Sequence, residues 1–147
     1  MRRKGKRIQS ATQLGYNERH AKSGIAAPLP DIETFSNQYK GYEITIEIPE
    51  YTAICPKTGL PDFGTITLHY MPDKQCLELK SLKMYIHAYR NVGIFYENSV
   101  YRILQDIVKA CRPVGESHRY IRSTGRAQNC DRRTISVKHS LAPFRFS

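Results

Sequence analysis

The chain has 147 residues, 40% of them apolar, and carries 23 Lys and Arg against 13 Asp and Glu for a net charge of +10. That length suits one domain with a real core, and no run approaches the roughly 18 apolar residues of a membrane helix; no apolar signal-peptide core follows the basic residues Arg2, Arg3, Lys4, Lys6 and Arg7, so a cytoplasmic protein is expected. The charge sits at the ends: residues 1–22 and 112–147 contribute +6 each and residues 23–111 contribute −2, which speaks against direct nucleic-acid binding through the folded middle.

Residues 1 to about 40 show neither helical nor strand periodicity and read as a flexible or draped basic arm. From Tyr42 the pattern changes: Tyr42, Ile44, Ile46 and Ile48 alternate with Glu43, Thr45 and Glu47, as in a half-buried strand. Pro49 has no N–H to give to a ladder and is expected to end it. A loop over Cys55 follows, then a second alternating strand from Phe63 through Ile66, Leu68 and Tyr70. Met71–Lys74 reads as a turn. Cys76 to Tyr89 begins extended and continues as a helix, with Leu82, Tyr85, Ile86 and Tyr89 on one stripe. After a break at residues 90–93, Val100, Ile103, Leu104, Ile107, Val108 and Cys111 define an amphipathic helix from Tyr96, ended by Pro113. Beyond Arg112 only Ile135 and Val137 hint at alternation, and no strand pair is expected there. Three segments result: an arm over 1–40, a catalytic domain over 41–112 and an atypical basic segment over 113–147.

The chemistry concentrates between Cys55 and Asp62. Pro56, Gly59 and Pro61 make the connection a defined turn, so a thiol and a carboxylate can face one pocket. The cysteines, at 55, 76, 111 and 130, form no CxxC and the histidines show no zinc spacing, so neither a disulfide framework nor a metal site is expected. A single Cys beside a turn is by itself more often a buried small side chain than a nucleophile. Asp62 could simply bond nearby amides, Glu97 could be a first-turn acid on a helix, and Lys80 and Lys83 could be a solvated face.

Two segments together shift that balance. CPKTGLPDF at Cys55–Phe63, and ELKSLKMY at Glu78–Tyr85 followed by Tyr89-Arg90-Asn91 and Phe95-Tyr96-Glu97, resemble the NADPH-dependent 7-cyano-7-deazaguanine reductases of the short single-module type (QueF family). These are the nitrile reductases of queuosine biosynthesis, a tRNA modification. The similarity runs from about Tyr42 to Arg112. It implies an α+β tunnelling fold like that of GTP cyclohydrolase I: antiparallel sheet backed by helices, in a homo-oligomer with active sites between subunits. The C-terminal strands of that fold have no evident counterpart in residues 113–147.

The resemblance also implies roles. Cys55 would add to the nitrile as a thiolate, forming a thioimide, and Asp62 would protonate the nitrogen. Glu97 would accept the N–H and amino group of the guanine-like base, and Leu77, Glu78 and Leu79 would line its pocket. Tyr96 stands where many members carry His, and a phenol cannot replace imidazole as an acid-base group near neutral pH. No GxGxxG follows a strand, so NADPH would be held by Lys80, Ser81 and Lys83. The family's Arg-Gly pair has no counterpart, because Gly125-Arg126 has the reverse order and no expected strand context. Two other readings are an archaeal amidinotransferase acting on the base in tRNA, which lacks the ELKSLK-type segment, and a non-catalytic RNA-binding protein using both basic ends.

Overall fold

The computed structural model describes residues 17–114, together with the backbone of 119–126 and 133–138. The elements run α1 (Glu18–Ala21), β1 (Thr34–Ser36), β2 (Ile44–Ile54), β3 (Pro61–Tyr70), β4 (Gln75–Leu77), α2 (Leu79–Ala88), a 3-10 turn (Tyr89–Asn91), α3 (Tyr96–Cys111), β5 (Arg119–Arg126) and β6 (Arg133–Lys138). Strands β2-β3-β5-β6 form one antiparallel sheet in that order, and β1 pairs with β4 in a second, two-stranded sheet. The core unites β2 and β3 with α2 and α3 through Ile66, Leu68, Leu82, Ile86, Ile103, Leu104 and Ile107.

Strand β2 does not stop at Pro49 as its sequence suggests. Ile48 lies opposite Ile66 and Tyr51 opposite Gly64, so β2 carries one residue more than β3 across this interval. The extra residue is a β-bulge, where a proline need not donate to the ladder. It has a second consequence, since a one-residue insertion exchanges the faces of everything beyond it. Ile44, Ile46 and Ile48 face the helices before the bulge; after it the odd-numbered Tyr51 and Ala53 do, and both are fully buried. All of them oppose the even-numbered residues of β3, from Tyr70 back to Asp62.

Helix α2 is capped by Glu78, whose carboxylate accepts from Lys80 N at 2.8 Å and Ser81 N at 2.6 Å. Its apolar stripe of Leu82, Tyr85 and Ile86 is buried, and the chain tightens into the 3-10 turn at Tyr89. Helix α3 buries Ser99, Val100, Ile103, Leu104, Ile107 and Cys111, and closes on Arg112 in the left-handed conformation (φ 43°), whose N–H reaches Val108 O. Pro113 follows, as expected of a helix stop.

Residues 17–36 are draped over the helices and carry two elements, α1 and β1, that are too short for periodicity to reveal. Arg102 donates to Gly24 O at 2.9 Å and Ala27 O at 2.6 Å, Asn98 to Ala21 O at 2.8 Å, and Ser23 Oγ to Gly93 O at 2.8 Å. Gly24, at φ 73°, packs so closely that a Cβ would lie 2.5 Å from Gly93 O. The basic residues at positions 2–7 lie outside the described residues.

The expectation of no strand pair after Arg112 is corrected by β5 and β6. Strand β5 pairs with β3 from Tyr70↔Arg119 to Phe63↔Arg126, and β6 extends the sheet by one more strand. The sheet therefore continues beyond residue 112. Gly125 and Arg126 have strand context after all, opposite Gly64 and Phe63 at the Asp62 end of β3. The physical reason is that β3 presents an edge of unpaired N–H and C=O groups, and a partner strand satisfies that edge whatever its side-chain pattern.

Candidate active site

Three chain segments converge beyond the bulge. The first two form the hairpin of β2 and β3: Ala53 opposes Asp62, and the intervening turn is closed by Cys55 N to Leu60 O at 2.8 Å and Gly59 N to Cys55 O at 2.9 Å. Gly59 adopts φ 68°, a conformation that a residue with a Cβ rarely takes. The Cys55 backbone is thereby bonded through both its N–H and its C=O. Its thiol is free and half-buried, a state compatible with a positioned nucleophile that a small molecule can reach.

The third segment arrives through a parallel bridge. Ile54 N donates to Val92 O and Ile94 N to Ile54 O, both at 3.0 Å, joining Ile54 to Gly93. Because the bridge is parallel, both chains leave it in the same direction. One continues into Cys55 and the other into Phe95, Tyr96 and Glu97 at the start of α3. The backbone leading to Cys55 and the backbone leading to the first turn of α3 thus run side by side at Ile54 and Gly93, a juxtaposition that no local sequence pattern encodes.

Asp62 faces inward from β3, on the same side as Ala53 and Tyr51. Burial raises its pKa above the usual carboxylate range, and the negative charge of Glu97 raises it further. Two carboxyl groups on separate elements therefore share one electrostatic environment, and Asp62 keeps its proton to higher pH than an exposed aspartate. Glu97 is exposed in the first turn of α3, where the helix dipole favours a carboxylate. Tyr96 is half-buried, with its ring edge-on to Tyr51 at 5.4 Å between centroids.

The remaining candidates lie around α2. Leu77 ends β4 at 2% exposure and belongs to the core, whereas Leu79 is 60% exposed. Glu78 has both carboxylate oxygens occupied as the α2 cap. Ser81 Oγ donates to Glu78 O and accepts from Glu33 N, both at 2.9 Å, so its hydroxyl braces the segment before β1 against α2. Lys80 and Lys83 are exposed, and Lys83 borders a groove of about 300 Å³ between β2 and α2, lined also by Ile46, Ile48, Leu79, Leu82 and Ile86.

The double amide bond to Glu78 has a measurable consequence. Those bonds lower its pKa below the ordinary glutamate value of 4.5. A depressed folded-state pKa contributes stability that is present above the unfolded value and lost as pH falls through the folded one. Glu78→Gln, which keeps the shape but offers one oxygen for two amides, is expected to lower Tm near neutral pH and to flatten its decline below about pH 4.5. Thermal melts across the acid range check both.

The sequence is similar to known proteins over most of this region. A family model described as QueF-like protein matches residues 61–119. An NADPH-dependent 7-cyano-7-deazaguanine reductase of Elusimicrobium minutum is 57% identical over 105 residues, 71% of this chain and 80% of the relative. The chain belongs to the 7-cyano-7-deazaguanine reductase family. A second member, from Chlorobium luteolum, is 50% identical over 113 residues and is covered over 95% of its length. Among solved structures, the apo archaeosine synthase QueF-Like superposes with a TM-score of 0.59 over 71% of this chain and all of that one, at 16% identity. That match establishes the family's α+β fold, with its antiparallel sheets and helices, and the C-terminal strands β5 and β6 complete the four-stranded sheet of this chain.

Proposed function

We propose that the protein reduces the nitrile of 7-cyano-7-deazaguanine to the 7-aminomethyl base with NADPH, in the cytoplasm, as a step of queuosine biosynthesis. The observation that supports this reading is the parallel bridge at Ile54, from which the chain runs on to Cys55 on one side and toward Glu97 on the other, while the hairpin sets Asp62 across from Ala53. The reading also rests on family membership, because the relatives named above carry this activity in their names.

In this reaction Cys55 attacks the nitrile carbon as a thiolate and forms a thioimide. Asp62, whose pKa burial and the charge of Glu97 raise, gives its proton to the nitrile nitrogen as negative charge develops there. Glu97 accepts the N–H and amino group of the base with its two oxygens, fixing the nitrile against the thiol. Leu79 and Glu78 edge the base pocket, with Leu77 supporting it from the core. Tyr96 offers a hydroxyl where imidazole is common in the family, so proton transfer falls to Asp62 alone.

For the cofactor, Lys80 and Lys83 suit phosphate oxygens as point charges, and the apolar groove beside Lys83 suits one flat ring. Its volume of about 300 Å³ lies at the lower end of small-ligand sites and holds part of a dinucleotide. The α2 N-terminus is not the phosphate cradle, because Glu78 already occupies the Lys80 and Ser81 amides. Two NADPH, bound in turn, would each supply one hydride for the four-electron reduction. The sites lie between subunits of a homo-oligomer, which would enclose the exposed Glu97 and Lys83. Mixing purified protein with the 7-cyano base should consume two NADPH per nitrile; binding to RNA without NADPH consumption would sink this reading in favour of the basic ends.

A further inference from the structure

The segment that pairs with the end of β2 is held from behind as well. At the parallel bridge Ile54 N donates to Val92 O, and Ile54 O accepts from Ile94 N, both at 3.0 Å. In a parallel pairing the peptide groups of the residue between those two point away from the partner strand, so Gly93 turns its carbonyl outward. Ser23 Oγ, 70 positions away in the chain, donates to that carbonyl at 2.8 Å. Gly24 sits against the same segment: a Cβ there would lie 2.5 Å from Gly93 O, 2.7 Å from Ile94 Cβ and 3.0 Å from Val92 Cγ1. Only a residue without a side chain fits that space, and its φ of 73° is one that glycine takes freely.

The turn that carries these two residues is itself anchored. Arg102 on α3 donates to Gly24 O at 2.9 Å and to Ala27 O at 2.6 Å, and Ala27 N closes the turn on Gly24 O at 3.2 Å. Val92–Ile94 is thus enclosed between β2 on one side and a fixed turn on the other. We infer that Ser23 and Gly24 are positioning residues for Cys55: they hold Val92–Ile94 against Ile54, and so fix the backbone that leads into Cys55 relative to the backbone that leads into α3. This rests on the role of Cys55 as the nucleophile of the proposed reduction. Neither residue touches the base, and no proton passes through them. Attack on a nitrile carbon needs the sulfur at about 3–3.5 Å and aligned, and a displacement of about 1 Å can cost about 100-fold in rate, so a loosened bridge is felt in kcat although the contact is remote.

Ser23→Ala removes the outer hydrogen bond at a half-buried position outside the core. In the free protein, amide hydrogen exchange at Ile54 and Ile94 should quicken about tenfold, while that of Ile103 and Ile107 within α3 stays unchanged. With the nitrile and NADPH, well below Tm, kcat should fall about tenfold with KM for the base within about twofold. Asn17→Ala is the contrast. It removes the cap of α1, which accepts from His20 N at 3.0 Å, and so loosens the same strap without touching Gly93. Tm should fall there, with the exchange of Ile54 and Ile94 and the value of kcat as in wild type.

Exchange at Ile54 and Ile94 that is unchanged in Ser23→Ala, or that rises no more than in the rest of the protein, overturns the inference. A Ser23→Ala chain that does not fold overturns it too, as does an Asn17→Ala variant that reproduces both effects. Wild-type protein that consumes no NADPH with the nitrile fails the reductase reading and this inference together, whereas wild-type turnover with an unmoved kcat in Ser23→Ala fails only the positioning role.

Discussion

Cys55→Ala is expected to abolish nitrile reduction, by more than about 10⁴-fold in kcat, while the variant still folds and still binds the 7-cyano base. The fold should survive because Cys55 is anchored through its backbone: the bonds to Leu60 O and from Gly59 N are indifferent to the side chain. The thiol is half-buried and outside the core, so its loss opens no cavity there. Base affinity should persist because the thiol makes its bond to carbon only during reaction, whereas Glu97 in its proposed role would contact the purine-like edge throughout. Intact mass of wild-type protein incubated with nitrile, without NADPH, should show the mass of one added base, and Cys55→Ala should show none. Buried Cys76 and Cys111 provide the internal control; burial pushes the Cys111 thiol up to about 12, far from reactive thiolate character at neutral pH. An adduct that persists in Cys55→Ala would remove the nucleophile from its assigned place.

The sequence revealed the parts of the fold that are periodic. The alternation from Ile44 and the three-and-four spacing of α3 are local consequences of pleat and helical pitch, and they appear where expected. The bulge at residues 49–50 escaped notice because its cause is tertiary: Pro49 argues locally for a strand end, but pairing with β3 carries the strand past it and reverses its faces. Strand β5 escaped for a similar reason, since RYIRSTGR has little apolar alternation and forms along the free edge of β3. Glu78 is an unusual N-cap, because glutamate is not among the short side chains that ordinarily serve there, so the start of α2 carried no standard signal.

The site was legible to a different degree. A thiol and an acid around a turn could be seen in Cys55–Asp62 from dihedral preferences alone, but the nearness of Asp62 to Glu97 could not. That nearness depends on the parallel bridge between Ile54 and Gly93, residues 39 positions apart in the chain, and only resemblance to a family pointed to it beforehand.

Asp62→Asn is expected to separate function from stability. The carboxyl pays a desolvation cost when ionised and is also repelled by Glu97, so its folded-state pKa stands above the ordinary aspartate value of 3.8. A raised folded-state pKa means that the native chain binds more protons than the unfolded one between the two values, so stability declines as pH rises through that window and stays reduced above it. Asparagine carries no charge and fits the same space, so Asp62→Asn should melt at a higher temperature than wild type at pH 7 and lose that advantage below about pH 3.8. Turnover should move the other way, falling by about 10²- to 10⁴-fold, because the amide cannot deliver the proton that the nitrile nitrogen requires. The thioimide should then form slowly, with base affinity retained through Glu97. Paired melts and rate measurements on the one variant test both halves: an Asp62→Asn protein that is less stable than wild type at pH 7 contradicts the buried, repelled carboxyl, and one that turns over normally removes Asp62 as the proton donor.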